Sequence, residues 1–269
     1  MKHAFVIIAL LIAAAPIGSA RILKVGQGQT YASIQDAINA ASAGDTVKVL
    51  PGSYNEAITI NKSIVVQGSG YETTKITSTN DPTVIITNGK IMWFAITSVS
   101  GDGVQSTGGL ITNCVIAGCP KNGLTFMQNS TGTVKNCVLI GNGGYGAYGW
   151  ASWNQYGNAI NCISWGNGRY GFEGLNSVTY CDGSIDANNS SNNINSDPRF
   201  KSGTDYHLLP TSQCYQAGNP VETNPDGSRA DMGYFGGVDC PVYPVVTKIV
   251  ILPAGNGQVQ IQATAQANY

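Results

Sequence analysis

Eight aromatic residues crowd into 28 positions: Tyr145, Tyr148, Trp150, Trp153, Tyr156, Trp165, Tyr170 and Phe172. Three of the four tryptophans are among them, so flat faces are concentrated in one stretch. Trp and Tyr offer an apolar face to sugar CH groups and a polar tip to a hydroxyl. Tyr148, Trp150, Trp153 and Tyr170 are therefore the substrate-binding candidates. The run 144–158 reads as a loop projecting from its scaffold, a common carrier of binding residues. Packing is the alternative for these rings, and the expected role of Trp165 and Phe172. The charged candidates for catalysis are Arg169, Glu173, Asp182 and Asp186, in or just beyond the same stretch. Scattered charges that solvate a surface are the alternative reading of those four.

A second set of oxygens lies further on. Glu222, Asn224, Asp226 and Ser228 alternate along the chain, with Gly227 at a sharp-turn position. That alternation suits Ca2+, although Gly233 stands where a calcium loop needs a bidentate Glu. The competing reading is an Asp-Gly turn before a last strand. Cys214 and Cys240 flank the segment, and a disulfide between them would staple it. The chain has seven Cys, so at least one is unpaired within the chain.

The background against which these residues stand is glycine-rich and charge-poor: 34 Gly in 269 residues, 11% charged and 42% apolar. A disordered polyelectrolyte needs low hydrophobicity and high net charge. A net charge of −1 supplies no field for nucleic acid. At the amino terminus, Lys2 precedes an unbroken apolar stretch, 4–17, and Gly18-Ser19-Ala20 supplies small residues. That pattern is a secretory signal, with cleavage expected after Ala20. The apolar stretch is short for a membrane span. The expectation is an exported, monomeric protein that is not embedded in a membrane.

What holds the candidates in place is a repeat. NCVIAGCPKNGL begins at Asn113, NCVLIGNGGYGA at Asn136 and NCISWGNGRYGF at Asn161, spaced by 23 and 25 residues. Periods of this length signal a solenoid. The units are short β-rich runs (110–116, 133–140, 159–165) broken by Gly and Asn, which describes coils of a parallel β-helix. Asn tolerates a left-handed bend. Stacked Asn side chains could bond to each other as an amide ladder. The following Cys would point inward as a ladder of thiols, with Ile116 and Leu139, while Val115, Val138 and Ile163 would face out.

The ends are different. YASIQDAINAASA, residues 31–43, reads as one amphipathic helix, with Gly44 as its C′ residue. Tyr31-Ala-Ser-Ile-Gln35-Asp-Ala-Ile38, Ala43-Gly-Asp45, Pro51-Gly-Ser-Tyr54-x-Glu56 and Ile60-x-Lys62 resemble the amino-terminal cap of pectin-lyase-like right-handed parallel β-helix proteins. Ser196-Asp-Pro-Arg-Phe200, Asp205-Tyr-His-Leu208 and Asp226-Gly-Ser-Arg-Ala-Asp231-Met-Gly233 resemble the closing segment of secreted bacterial members. The resemblance spans roughly 25–237. It implies an all-β fold: a single-stranded right-handed parallel β-helix with an N-terminal capping α-helix. Beyond Pro241, two strands at 245–252 and 259–265 form a short C-terminal β extension. The division expected is 1–20 signal peptide, 21–240 β-helix with its cap, and 241–269 extension or start of a further module.

Enzymes of this kind usually act on polysaccharides, so extracellular polysaccharide is the partner the resemblance implies. Gly52-x-Tyr54-x-Glu56 matches one pectin methylesterase motif, but the later motifs are missing, as is the polygalacturonase set. A lyase of this kind would use calcium near carboxylates and a base such as Arg169. Three readings stand: a polysaccharide-binding or -processing protein, a calcium-dependent lyase acting by β-elimination on uronates, and a structural or adhesin solenoid without catalysis.

Overall fold

A computed structural model describes residues 19–150, 156–241, 243–255 and 258–268. The leader expected at 1–20 lies almost wholly outside the described residues, and Trp153 lies wholly outside them. Strands of three or four residues alternate buried and open positions, as period-2 patterning demands. They stack into three parallel sheets of nine, seven and six strands. The first sheet runs from Ile22–Val25 to Asn189–Ser191, the second from Ile58–Ile60 to Ile185–Asp186, and the third from Gly52–Asn55 to Ile163–Trp165. Each full coil gives one strand to each sheet, which makes the chain a parallel β-helix; right-handed crossover is the form that twisted parallel strands adopt.

Register explains the core. Val47, Val66, Ile91, Ile111, Val134, Ala159 and Val178 lie in one column of the first sheet, each fully buried. Burying such a side chain contributes about 1.5–3 kcal/mol. The thiols form their own column: Cys114, Cys137, Cys162 and Cys181 are all inside. The Cys114 N–H donates to Cys137 Sγ at 3.4 Å and the Cys162 N–H to Cys181 Sγ at 3.3 Å. Asn113, Asn136 and Asn161 take φ of 45°, 48° and 54°, the left-handed bend expected of them. Gly118, Gly141 and Gly166 make a second left-handed column at 63–65°.

The amides do not bond to each other. They hold a closing segment that runs back across the coils as its residue numbers rise. Asn161 Oδ1 accepts from Asn219 N, and its Nδ2 donates to Glu222 Oε2. Asn136 Nδ2 donates to Asp231 O, and Asn113 Nδ2 to Tyr234 O and Gly236 O. Trp93, at the same bend one coil earlier, donates from Nε1 to Asp239 O at 2.7 Å. Val115, Val138 and Ile163 do face out of the coils, but this segment buries them under Cys214, Met232, Tyr234 and Phe235. The result is a second core outside the first.

The capping helix spans Ile34–Ala40, shorter than 31–43. Ser33 starts it by accepting from Asp36 N. Lys62 Nζ ends it by bonding the carbonyls of Ile38, Asn39 and Ala41. Ala41, in extended backbone, is the cap; Gly44 (φ 88°) serves the turn beyond, not the C′ position. Strands Tyr243–Gly255 and Gln258–Asn268 pair antiparallel as a sheet of their own. Among the described residues, no helix is long and apolar enough to cross a membrane.

Candidate functional site

Three of the candidate residues, Tyr148, Glu173 and Asp186, lie on the second sheet. Its outward column reads Thr59, Ile85, Gln105, Thr125, Tyr148, Glu173, Asp186. Alternation places Ala147 and Phe172 inside and therefore Tyr148 and Glu173 outside. Tyr148 thus stands on a strand, Ala147–Gly149, rather than on the projecting loop expected for 144–158. Neighbouring strands are about 4.8 Å apart. Tyr148, Glu173 and Asp186 are consequently side by side along the helix axis.

The corner before these strands adds the rest. Tyr145 stacks on Tyr148 with ring centroids 4.7 Å apart and planes 12° apart. The Arg169 guanidinium lies 5.4 Å over the Tyr145 ring and donates from Nη1 to Tyr145 Oη at 3.1 Å. That contact raises the Arg169 pKa further and holds the guanidinium against the Tyr145 ring. Burial raises the Tyr148 phenol, with Tyr145 and Glu173 acting in the same direction. Tyr170, one coil beyond Tyr145, is 51% exposed, and Trp150, at the end of the strand, is 61% exposed. Two open clefts are lined by these residues. One of about 470 Å³ is lined by Tyr145, Arg169, Tyr170 and Ser184. The other, of about 430 Å³, is lined by Tyr148, Trp150, Glu173, Asp186 and Asn188.

The structure brings together Tyr148, Trp150, Tyr170, Arg169, Glu173 and Asp186. It separates Asp182 from them. Asp182 extends the third sheet's column beyond Ile163 and is fully buried beneath the closing segment. Its carboxylate accepts from Ser196 N and from Cys214 Sγ at 3.1 Å, and burial raises its pKa. It has no access to solvent and is not a site residue. Tyr145 was missing from the expected binding set. The signal for it was present, because Tyr145-Gly146 and Tyr170-Gly171 occupy the same place in successive repeats.

The oxygens considered for calcium diverge. Glu222 turns to Lys135 Nζ at 2.8 Å and to Asn161. Asn224 Oδ1 accepts from the N–H groups of Asp231 and Gly237. Asp226 Oδ1 accepts from the N–H and hydroxyl of Ser228. These bonds hold the turn, leaving no shared center. Among the described residues no three acidic, His or Cys side chains gather as a metal site. The Cys214–Cys240 bridge is not formed: both are free, buried thiols, with Cys214 directed at Asp182. The Gly52-x-Tyr54-x-Glu56 motif has a structural task. Glu56 accepts from Ile34 N and Gln35 N at the start of the capping helix, and the Tyr54 hydroxyl donates to Leu50 O.

No protein-family model matches this sequence, and no curated protein matches it. Among solved structures, a pectin methylesterase from Aspergillus niger is 16% identical over 68% of this chain and 69% of its own, with a TM-score of 0.37. Pectin methylesterase PemA from Erwinia chrysanthemi is 12% identical over 73% of this chain and 76% of its own, with a TM-score of 0.38. ORF18 of Geobacillus virus E2 is 21% identical over 64% of this chain and 40% of its own, with a TM-score of 0.39. Likeness at this level does not carry an activity across. The helix cap, the parallel ladders and the stacked coils by themselves make this chain an all-β parallel β-helix, consistent with the right-handed form.

Proposed function

We propose that this chain is exported and, as a monomer, binds extracellular polysaccharide on the outer face of its second sheet. The observation that carries the reading is the Tyr145–Tyr148 stack, continued on either side by exposed Tyr170 and Trp150. Exposed Tyr170 and Trp150 offer CH-binding faces to sugar units, and the Tyr145–Tyr148 stack under Arg169 gives a rigid aromatic wall between the two clefts. Arg169, Glu173 and Asp186 edge the rings with hydrogen-bonding groups for hydroxyls.

A second reading is β-elimination on a uronate, and one observation favours it. Glu173 and Asp186 are in register on adjacent strands, where two carboxylates can share a calcium ion. In that reading Arg169 holds the substrate carboxylate, since Tyr145 keeps it a cation.

The test is affinity electrophoresis and calorimetry on neutral and acidic glycans, with and without calcium, alongside ultraviolet absorbance from unsaturated uronate. Retention is expected. Tyr148→Ala and Trp150→Ala should each weaken it roughly tenfold, as loss of a central aromatic anchor does. Calcium-dependent absorbance would establish elimination. Silence in every arm would overturn both readings and leave a structural solenoid.

A further inference from the structure

The turn after the capping helix holds a carboxylate with an unusual set of donors. Asp45 has a side chain only 3% exposed. Its Oδ2 accepts from Arg21 Nη2 at 2.7 Å, Arg21 Nε at 3.1 Å and Ser42 N at 2.9 Å. Its Oδ1 accepts from the backbone nitrogen of Arg21 at 2.8 Å. Arg21 directly follows Ala20, the last of the small residues that close the apolar leader, and Ser19 and Ala20 are both exposed.

We propose that hydrolysis of the Ala20–Arg21 bond turns the Arg21 nitrogen into an α-ammonium paired with Asp45 Oδ1, so that removing the leader completes the N-terminal cap. The agent is an endopeptidase that uses water and recognises small residues. Water adds across the peptide bond, Ala20 leaves with the new carboxylate, and the Arg21 nitrogen takes the proton. No backbone movement is needed, because that nitrogen already faces Oδ1 at hydrogen-bonding distance. The nitrogen already donates to an ionised carboxylate, and cleavage adds a full positive charge to the donor, so the bond becomes a hydrogen-bonded ion pair.

The neighbouring charges allow a second cation. The Arg21 guanidinium shares the carboxylate and reaches Ala40 O at 3.4 Å, and Lys62 Nζ bonds three carbonyls at the helix C-terminus. The negative end of the helix dipole therefore faces this cluster. The Tyr31 phenol also acts on Arg21, and Glu56 sits at the opposite end of the helix. The inference rests on the export reading of the leader and is independent of glycan binding.

The exported chain is purified, its N-terminus is sequenced and its intact mass is measured. Acylation of its α-amine near pH 7.5 is then compared in wild type and Asp45→Asn. The expected start is Arg21, with an α-amine that reacts about tenfold more slowly in wild type, since a contacting opposite charge raises its pKa by about one unit or more. Asp45→Asn also strips the guanidinium of its partner. A second variant with one added Ala before Arg21 keeps Asp45 and moves only the ammonium; its Tm is expected to fall by about 2–4 °C. A start at another residue, an α-amine equally reactive with and without Asp45, or a Tm unmoved by the added Ala each overturns the proposal.

Discussion

Asp45 and Asp231 are both held within the fold, yet their carboxyl groups move in opposite directions. Asp45 is pulled well below the usual carboxylate range by Arg21 and by backbone N–H groups. Asp231, half-buried within the closing segment, is pushed up to about 6 chiefly by desolvation, although the Gln216 N–H opposes that. Donors decide the difference, because a buried carboxylate without a cation prefers its proton. The sign for stability follows. Between about pH 4 and pH 6 the folded chain holds the Asp231 proton more tightly than the unfolded chain does. Stability therefore falls as pH rises through that window and stays lower above it. Asp231→Asn keeps an oxygen for the Gln216 N–H and removes the charge. It is expected to raise stability at pH 7–8 by on the order of 1–2 kcal/mol and to leave pH 4 nearly unchanged. Urea denaturation across this range checks it; equal gains at both pH values would count against the assignment. The aspartate was plain in the sequence, but its half-buried setting was not, because its carboxylate is held by the Gln216 N–H, 15 residues earlier in the chain.

At the scale of the bend, each repeating Asn does two jobs. It adopts a left-handed backbone, which costs most other residues about 1–2 kcal/mol, and its amide reaches the closing segment. The two contributions can be separated at Asn136. Asn136→Gly keeps the backbone and loses the amide contact, a cost of about 1 kcal/mol. Asn136→Ala loses both and is expected to cost about 2–3 kcal/mol. Guanidinium denaturation of the two variants measures the gap, and equal losses would show that the bend itself contributes nothing. The 23- and 25-residue spacing made the bends and the inward thiols legible. It could not reveal where the amides bond, since their partners come from another part of the chain.

The whole molecule is a solenoid with two cores, one inside the coils and one between the third sheet and the returning segment. The C-terminal hairpin shares no sheet with either. A chain ending at Pro241 is therefore expected to melt within about 2 °C of the full chain, because it keeps both cores. Calorimetry on the shortened chain checks this, and a much larger fall would show that the hairpin stabilises the coils. The candidate site also belongs to this scale. Its rings and acids come from successive coils, and stacking alone places Tyr148, Glu173 and Asp186 in one row.

By itself the sequence determined the solenoid, its helix cap, the left-handed bends and the buried thiols. These follow from local periodicity, turn chemistry and repeats, which act over a few residues. Only the tertiary structure decided that Asp182 is buried while Glu173 and Asp186 line a cleft, that the oxygens at 222–228 diverge, and that Cys214 faces a carboxylate instead of Cys240. Each of those outcomes depends on which face the returning segment covers. That choice is made by contacts between residues tens of positions apart, and no local pattern encodes it.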